Sequence, residues 1–215
     1  MFEFFDRERE FTVRSGHLPH WFQAGVTYFV TFRLADSLPQ KLARDWHVRR
    51  DAWLCRHDID PQQPNWKARL RQEPELEREF HARFTRQFME LLDRGYGACV
   101  LGDPGAAALV ADALRHFDGE RYALGDFVVM PNHVHLLVGL IGDTEIESQC
   151  KSWKSYSARE INLLTGRRGR LWQAESFDHL VRGPEQLERF RRYIAENPAK
   201  AGLKTGDYLH WVRPE

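Results

Sequence analysis

VVMPNHVHLLVGLI, residues 128–141, holds two apolar runs with Pro-Asn between them and two histidines one residue apart. Short runs of Val, Leu and Ile broken by a turn signal read as two buried strands joined as a hairpin. Residues two apart in a strand share a face. His133 and His135 therefore project together, while Val134, Leu136 and Val138 face the other way. Two neutral imidazoles side by side can chelate a divalent metal. Two ligands do not complete a site, and core-edge or surface histidines are the commoner outcome for such a pair.

Outward from the hairpin, the remaining elements fall into order. GVTYFVTFRLADSLP predicts a strand over Thr27–Leu34, before Pro39. Residues 40–75 are charged, with Pro61 and Pro64 marking a loop between two helical pieces. This stretch has few apolar residues for a core of its own, so it reads as an insertion. EPELEREFHARFTRQFMELLDRG predicts an amphipathic helix with Leu76, Phe80, Phe84, Phe88, Leu91 and Leu92 on its apolar side, stopped by Gly95. ACVLGDP suggests a short strand, and PGAAALVADALRHFDGERY a helix from about Pro104 to Gly119. EIESQCKSWKSYSAREINLLTGRRG reads as a helix, RLWQAESFDHLVR as a last strand, and GPEQLERFRRYIAENP as a helix that Pro198 closes. The order strand, helix, strand, strand, helix, strand predicts an α+β fold. It is a ferredoxin-like antiparallel sheet with helices on one face, a C-terminal helix and a helical insertion at about 40–95. One domain over residues 1–215 is expected.

The 215 residues are 42% hydrophobic and 13% aromatic, enough for a real core. No run of about 18 apolar residues predicts a membrane helix, and MFEFFDRERE lacks the apolar region of a secretory signal. Cys55, Cys99 and Cys150 form no CxxC pair and read as reduced thiols, which points to a cytoplasmic setting. Net charge is zero, but residues 1–145 carry 18 Lys and Arg against 22 Asp and Glu, and residues 146–215 carry 13 against 9. The basic excess lies around KSWKSYSARE, GRRGR and RFRRY, where it can meet phosphates or form a solvated helix surface.

Tyr193 and Asn197 stand four apart on the last helix and share a side of it. Tyr193 is either a core-edge residue or a nucleophile; Asn197 either ends the helix or offers its amide oxygen to a metal. Tyr156 is the competing tyrosine, with Glu160 rather than an amide one turn on. His179 is either a supporting group or exposed. A zinc hydrolase built on the two histidines lacks an acidic third ligand of the HExxH type.

PNHVHLLV followed by YIAENPAKAGL, with FDGERYALGDFVVMP and LWQAESFDHLVR, resembles the REP-associated tyrosine transposases, a group of single-tyrosine HUH transposases. The likeness spans roughly residues 17–204, and includes RSGHLPHW with His17, His20 and Trp21, for which no strand or helix pattern shows. The resemblance implies His133 and His135 as paired metal ligands, Asn197 as the third, Tyr193 as catalytic nucleophile and Mg²⁺ or Mn²⁺ as cofactor. It implies cleavage of single-stranded DNA through a 5′-phosphotyrosine, with hairpins of REP-like palindromes as substrate, in a nucleoid-associated monomer or homodimer. A protein that binds the hairpin without cutting is the alternative. Lys151, Lys154, Arg159, Arg167, Arg168 and Arg170 are the candidate phosphate contacts. Trp153 and Trp172 are either stacking or buried residues.

Overall fold

The computed structural model describes residues 2–15, 19–85, 87, 91 and 95–214. Its elements are β1 (Thr12–Ser15), β2 (Pro19–Phe22), β3 (Thr27–Arg33), α1 (Gln40–Arg56), α2 (Trp66–Arg71) and α3 (Pro74–Phe80). There follow α4 (Pro104–Arg115), β4 (Tyr122–Met130), β5 (His133–Leu140), α5 (Ile146–Thr165), β6 (Phe177–Leu180), α6 (Pro184–Lys200) and β7 (Leu209–Trp211). The chain divides into two compact units, one of residues 1–35 and 98–215, the other Asp36–Gly97.

In the first unit β3 to β7 form one sheet in the order β6-β3-β5-β4-β7, antiparallel throughout. Without β7 the order is that of a ferredoxin-like sheet, with β3 and β5 at its centre. The alternation along β5 assigns the two faces. Val134, Leu136 and Val138 join Tyr28, Val30 and Phe32 of β3 in the main core, which α4 and α5 cover through Val110, Leu114, Cys150, Trp153 and Ile161. On the opposite face Phe29, Val128, Met130 and Leu137 pack against Ile194, Leu187, Phe190 and Tyr193 of α6. Asp126, buried beside the β4 bulge between Leu124 and Phe127, pairs with Arg191 Nε of α6 at 3.2 Å. Gly125 fits that bulge because a Cβ would lie 2.8 Å from Leu137 Cβ.

The second unit has an apolar cluster of Trp46, Trp53, Leu54, Ile59, Leu70, Phe80 and Phe84. The scarcity of apolar residues in 40–75 is met by Phe80 and Phe84 from the segment that follows. The long helix read from 73 to 95 is α-helical over Pro74–Phe80 and continues as a π-helical turn, His81–Thr85. Most of the rest of that helix, Phe88 and Leu92 included, lies outside the described residues.

Four local readings differ. ACVLGDP is a 3₁₀ turn, Val100–Gly102, and the edge of β4 is occupied by β7. The last strand shortens to Phe177–Leu180, although Trp172 still bridges to Leu34. α6 continues through Pro198 to Lys200; a proline in the last turn omits one helical N–H without breaking the helix. RSGHLPHW contributes strand residues, for Pro19–Phe22 pairs with Thr12–Ser15. His17 and the His20 side chain lie outside the described residues. Trp21 is partly exposed and stacks on Phe11 at 5.3 Å.

Cys55, Cys99 and Cys150 are free thiols. Cys55 is exposed, whereas burial, reinforced by the Asp178 carboxylate, pushes the Cys150 thiol up to about 12. At roughly pH 8 a maleimide is expected to modify Cys55 within minutes and Cys150 only after unfolding. Peptide mapping checks this, and rapid labelling of Cys150 in the native protein would contradict the packing.

Candidate active site

His133 and His135 stand at the start of β5 on the face that α6 covers. Both are buried, with 1% and 0% of their surfaces exposed, and their ring centroids are 4.6 Å apart. Each Nδ1 has a partner. His133 Nδ1 donates to the amide oxygen of Asn132 at 2.7 Å. His135 Nδ1 lies 2.7 Å from the Thr31 hydroxyl, directly across on β3. The Asn132 oxygen places the His133 proton on Nδ1, and the Thr31 hydroxyl can accept one from His135 Nδ1; in that tautomer each Nε2 keeps its lone pair. Neither Nε2 makes a hydrogen bond of good geometry, although both are buried.

Burial holds both imidazoles well below the ordinary histidine range. The other ring and the Arg33 guanidinium push His133 further down, and Arg33 does the same to His135. Asn197 opposes this in part as a hydrogen-bonding neighbour of His133. The pair is neutral at neutral pH, the state in which imidazole binds a metal. A buried, unpaired nitrogen costs about 1–3 kcal/mol in folding. Two lone pairs freed by fixed Nδ1 partners are the arrangement of metal-binding imidazoles, so the donor set fits a divalent cation. Among the described residues no group of three or more His, Cys, Asp or Glu is placed to hold one. Asn197, buried on α6, is a hydrogen-bonding neighbour of His133.

Tyr193 lies against the pair. Its ring is 5.1 Å from that of His135 and 5.8 Å from that of Phe29. Two further contacts seat the helix: Phe190 stacks on Phe29 at 4.4 Å, and Ile194 is fully buried. Lys200, paired with Glu196 at 2.9 Å, has its ammonium 5.9 Å from the Tyr193 ring centroid. One chain thus brings His133, His135, Tyr193 and Asn197 to one place.

Other sequence candidates go elsewhere. Tyr156 is exposed on α5, across the sheet from the histidines, with the Arg159 guanidinium 5.6 Å from its ring. Lys151, Arg159, Arg167, Arg168 and Arg170 are exposed on α5 and the segment after it. Lys154 is half-buried and donates to the carbonyls of Gln173 and Ala174. Trp153 and Trp172 are buried; they donate to the Tyr122 and Ser157 hydroxyls, and neither offers a face for stacking. His179 is on the α6 face of β6, and accepts from the Gln186 amide at 2.9 Å. Thr31 and Asn132 are the partners that sequence reasoning missed. Their signal was a polar residue inside the apolar strand TYFVTFR and an asparagine in the turn next to a histidine.

The family model described as IS200-like transposase matches residues 109–197. Among solved structures the chain is similar to one described as the REP-associated tyrosine transposase bound to a REP hairpin. Identity is 16% and the TM-score 0.46, over 86% of this chain and 73% of that one. No curated protein matches. No helix among the described residues is long and apolar enough to cross a membrane. The matched segment holds both histidines, the tyrosine and the asparagine, and is similar to IS200-like transposases.

Proposed function

We propose that this chain is a metal-dependent single-strand DNA endonuclease and strand transferase that works through a 5′-phosphotyrosine on Tyr193. The observation that carries the reading is the pair of buried, neutral imidazoles with free Nε2 lone pairs, against which Tyr193 is docked. His133 and His135 would hold the cation, Mg²⁺ or Mn²⁺, through Nε2, and Asn197 would do so through its amide oxygen. A bound divalent cation supplies Lewis-acid polarisation of the scissile phosphate. Tyr193 Oη attacks phosphorus as the bond to the 3′-oxygen breaks; the phenol loses its proton and the departing 3′-oxygen gains one. Lys200, whose ammonium is 5.9 Å from the Tyr193 ring centroid and paired with Glu196, is the candidate cation for favouring the phenolate. The phosphotyrosine retains one phosphoester bond for each broken, so attack by a 3′-hydroxyl rejoins the strand without a nucleoside triphosphate.

The choice of palindromic hairpin DNA rests on the resemblance of the motifs to the REP-associated transposases. In this reading Lys151, Arg159, Arg167, Arg168 and Arg170 contact backbone phosphates. Lys154 acts by holding the 173–174 segment in place, and Asp36–Gly97 is an insertion in a single transposase domain.

The test uses a hairpin oligonucleotide with a single-stranded flank, labelled at one end or the other and incubated with Mg²⁺ or Mn²⁺. The 3′-labelled fragment is expected to travel with the protein on a denaturing gel, and the 5′-labelled fragment to be released with a free 3′-hydroxyl. The reverse polarity overturns the mechanism. Tight hairpin binding without cleavage replaces it with a binder that does not cut.

A further inference from the structure

We propose that Phe177 is a base-stacking residue that seats unpaired DNA beside the histidine–tyrosine cleft; it deepens the function proposed above and rests on it for the identity of the ligand. Phe177 opens β6, the edge strand, and pairs with Thr31 of β3, which pairs with His135 of β5. Directly opposed residues point to the same face, and the Thr31 hydroxyl meets the His135 ring. The three side chains therefore form one row, with Phe177 two strand spacings, about 10 Å, from His135.

Exposure singles Phe177 out. Phe29, Val128, Met130, Leu137 and Ile194 on this face are each at most 4% exposed, whereas Phe177 is 38% exposed. Its ring is not isolated. It lies parallel to His179 at 6.5 Å; His179 meets Phe190 edge-on at 5.6 Å, and Phe190 stacks on Phe29. Phe29 in turn stacks against His135 at 5.5 Å. A continuous aromatic shelf thus runs from the open edge of the sheet to the candidate metal ligands. Gln186 fixes the His179 ring within it.

Charge selects the occupant. The Arg182 and Arg189 guanidinium groups bear on His179, and both residues are exposed. Neither is in an ion pair among the described residues. An open aromatic face bordered by unpaired cations is the chemistry of single-stranded nucleic acid binding, with base on ring and phosphate on guanidinium. A buried edge or a protein-binding patch does not need both.

The probe is a short oligothymidylate carrying one 2-aminopurine, read by fluorescence and anisotropy in EDTA so that no strand is cut. The full-length protein is expected to quench the base. Phe177→Ala should weaken binding about tenfold or more, in line with the cost of removing one stacking ring, and should abolish the quenching. Phe177→Tyr should restore both. A blunt two-stranded duplex with no unpaired nucleotide should bind all three proteins alike. Unchanged binding by Phe177→Ala, an equal loss on the blunt duplex, or no quenching by the unmutated protein overturns the proposal. Covalent adduct is not read here, so a chain that never cuts still tests the shelf, and failure of the shelf leaves the cleavage reading standing.

Discussion

Tyr193→Phe is expected to abolish the covalent protein–DNA adduct, a loss on the order of a thousandfold or more, as when a nucleophile is removed. The substitution deletes one oxygen and keeps the ring that packs on His135 and Phe29. Thermal stability should therefore change by no more than the worth of one hydroxyl's hydrogen bond, about 0.5–1.5 kcal/mol. Hairpin affinity should also hold, because neither the basic residues of α5 nor the shelf on β6 is touched. Tyr156→Phe is the matched control, since that ring lies across the sheet from the histidines. Denaturing gels with labelled hairpin give the answer. Adduct that persists in Tyr193→Phe and vanishes in Tyr156→Phe would move the nucleophile to α5 and end the assignment.

The paired substitution His133→Ala with His135→Ala should remove both cleavage and the response of the fold to divalent cation. A ligand that binds only the native state at a hundredfold excess over its Kd stabilises by about 2.7 kcal/mol. For a chain of this size that is a rise in Tm of roughly 5–10 °C. The unmutated protein is expected to show such a rise with Mn²⁺, and the double variant none. The comparison is between melting curves with and without metal for each protein, because the variant's own baseline moves for other reasons. Truncation leaves a cavity and leaves Asn132 and Thr31 without imidazole partners, but it also removes two unpaired buried nitrogens. An equal Mn²⁺-induced rise in both proteins would place the cation elsewhere. Asn197→Ala should give an intermediate response, since it removes one donor of three.

The sheet was legible because its signal is local. A period of two along HVHLLVGL decides which residues face α4 and α5, and Pro-Asn between two apolar runs decides the hairpin. β7 was not legible: LHW is three residues long, and pairing with β4 forms it rather than any pattern of its own. Pro198 misled for a related reason. A proline marks the end of most helices, but one already in the last turn displaces little, and tertiary packing of Ile194 and Asn197 holds the remainder. Within the site, His133 and His135 were visible as a pair, and Tyr193 with Asn197 as a helical turn. The link between the pairs was not, since it depends on Phe190 stacking on Phe29 and on the Asp126–Arg191 pair, contacts between residues far apart in sequence. The basic residues of α5 were visible as charge. Their position across the sheet from the histidines follows only from the apolar side of that helix.

With α6 docked on the sheet that carries its own histidines, each protomer has one phenol beside one pair of imidazoles. An enzyme working as proposed then obeys a counting rule: one chain, one DNA end held at a time. Cleavage should be first order in protein down to the lowest concentration at which substrate still binds. A reaction that needs two breaks must take them in succession on one tyrosine, with the first end rejoined or passed on before the second is cut.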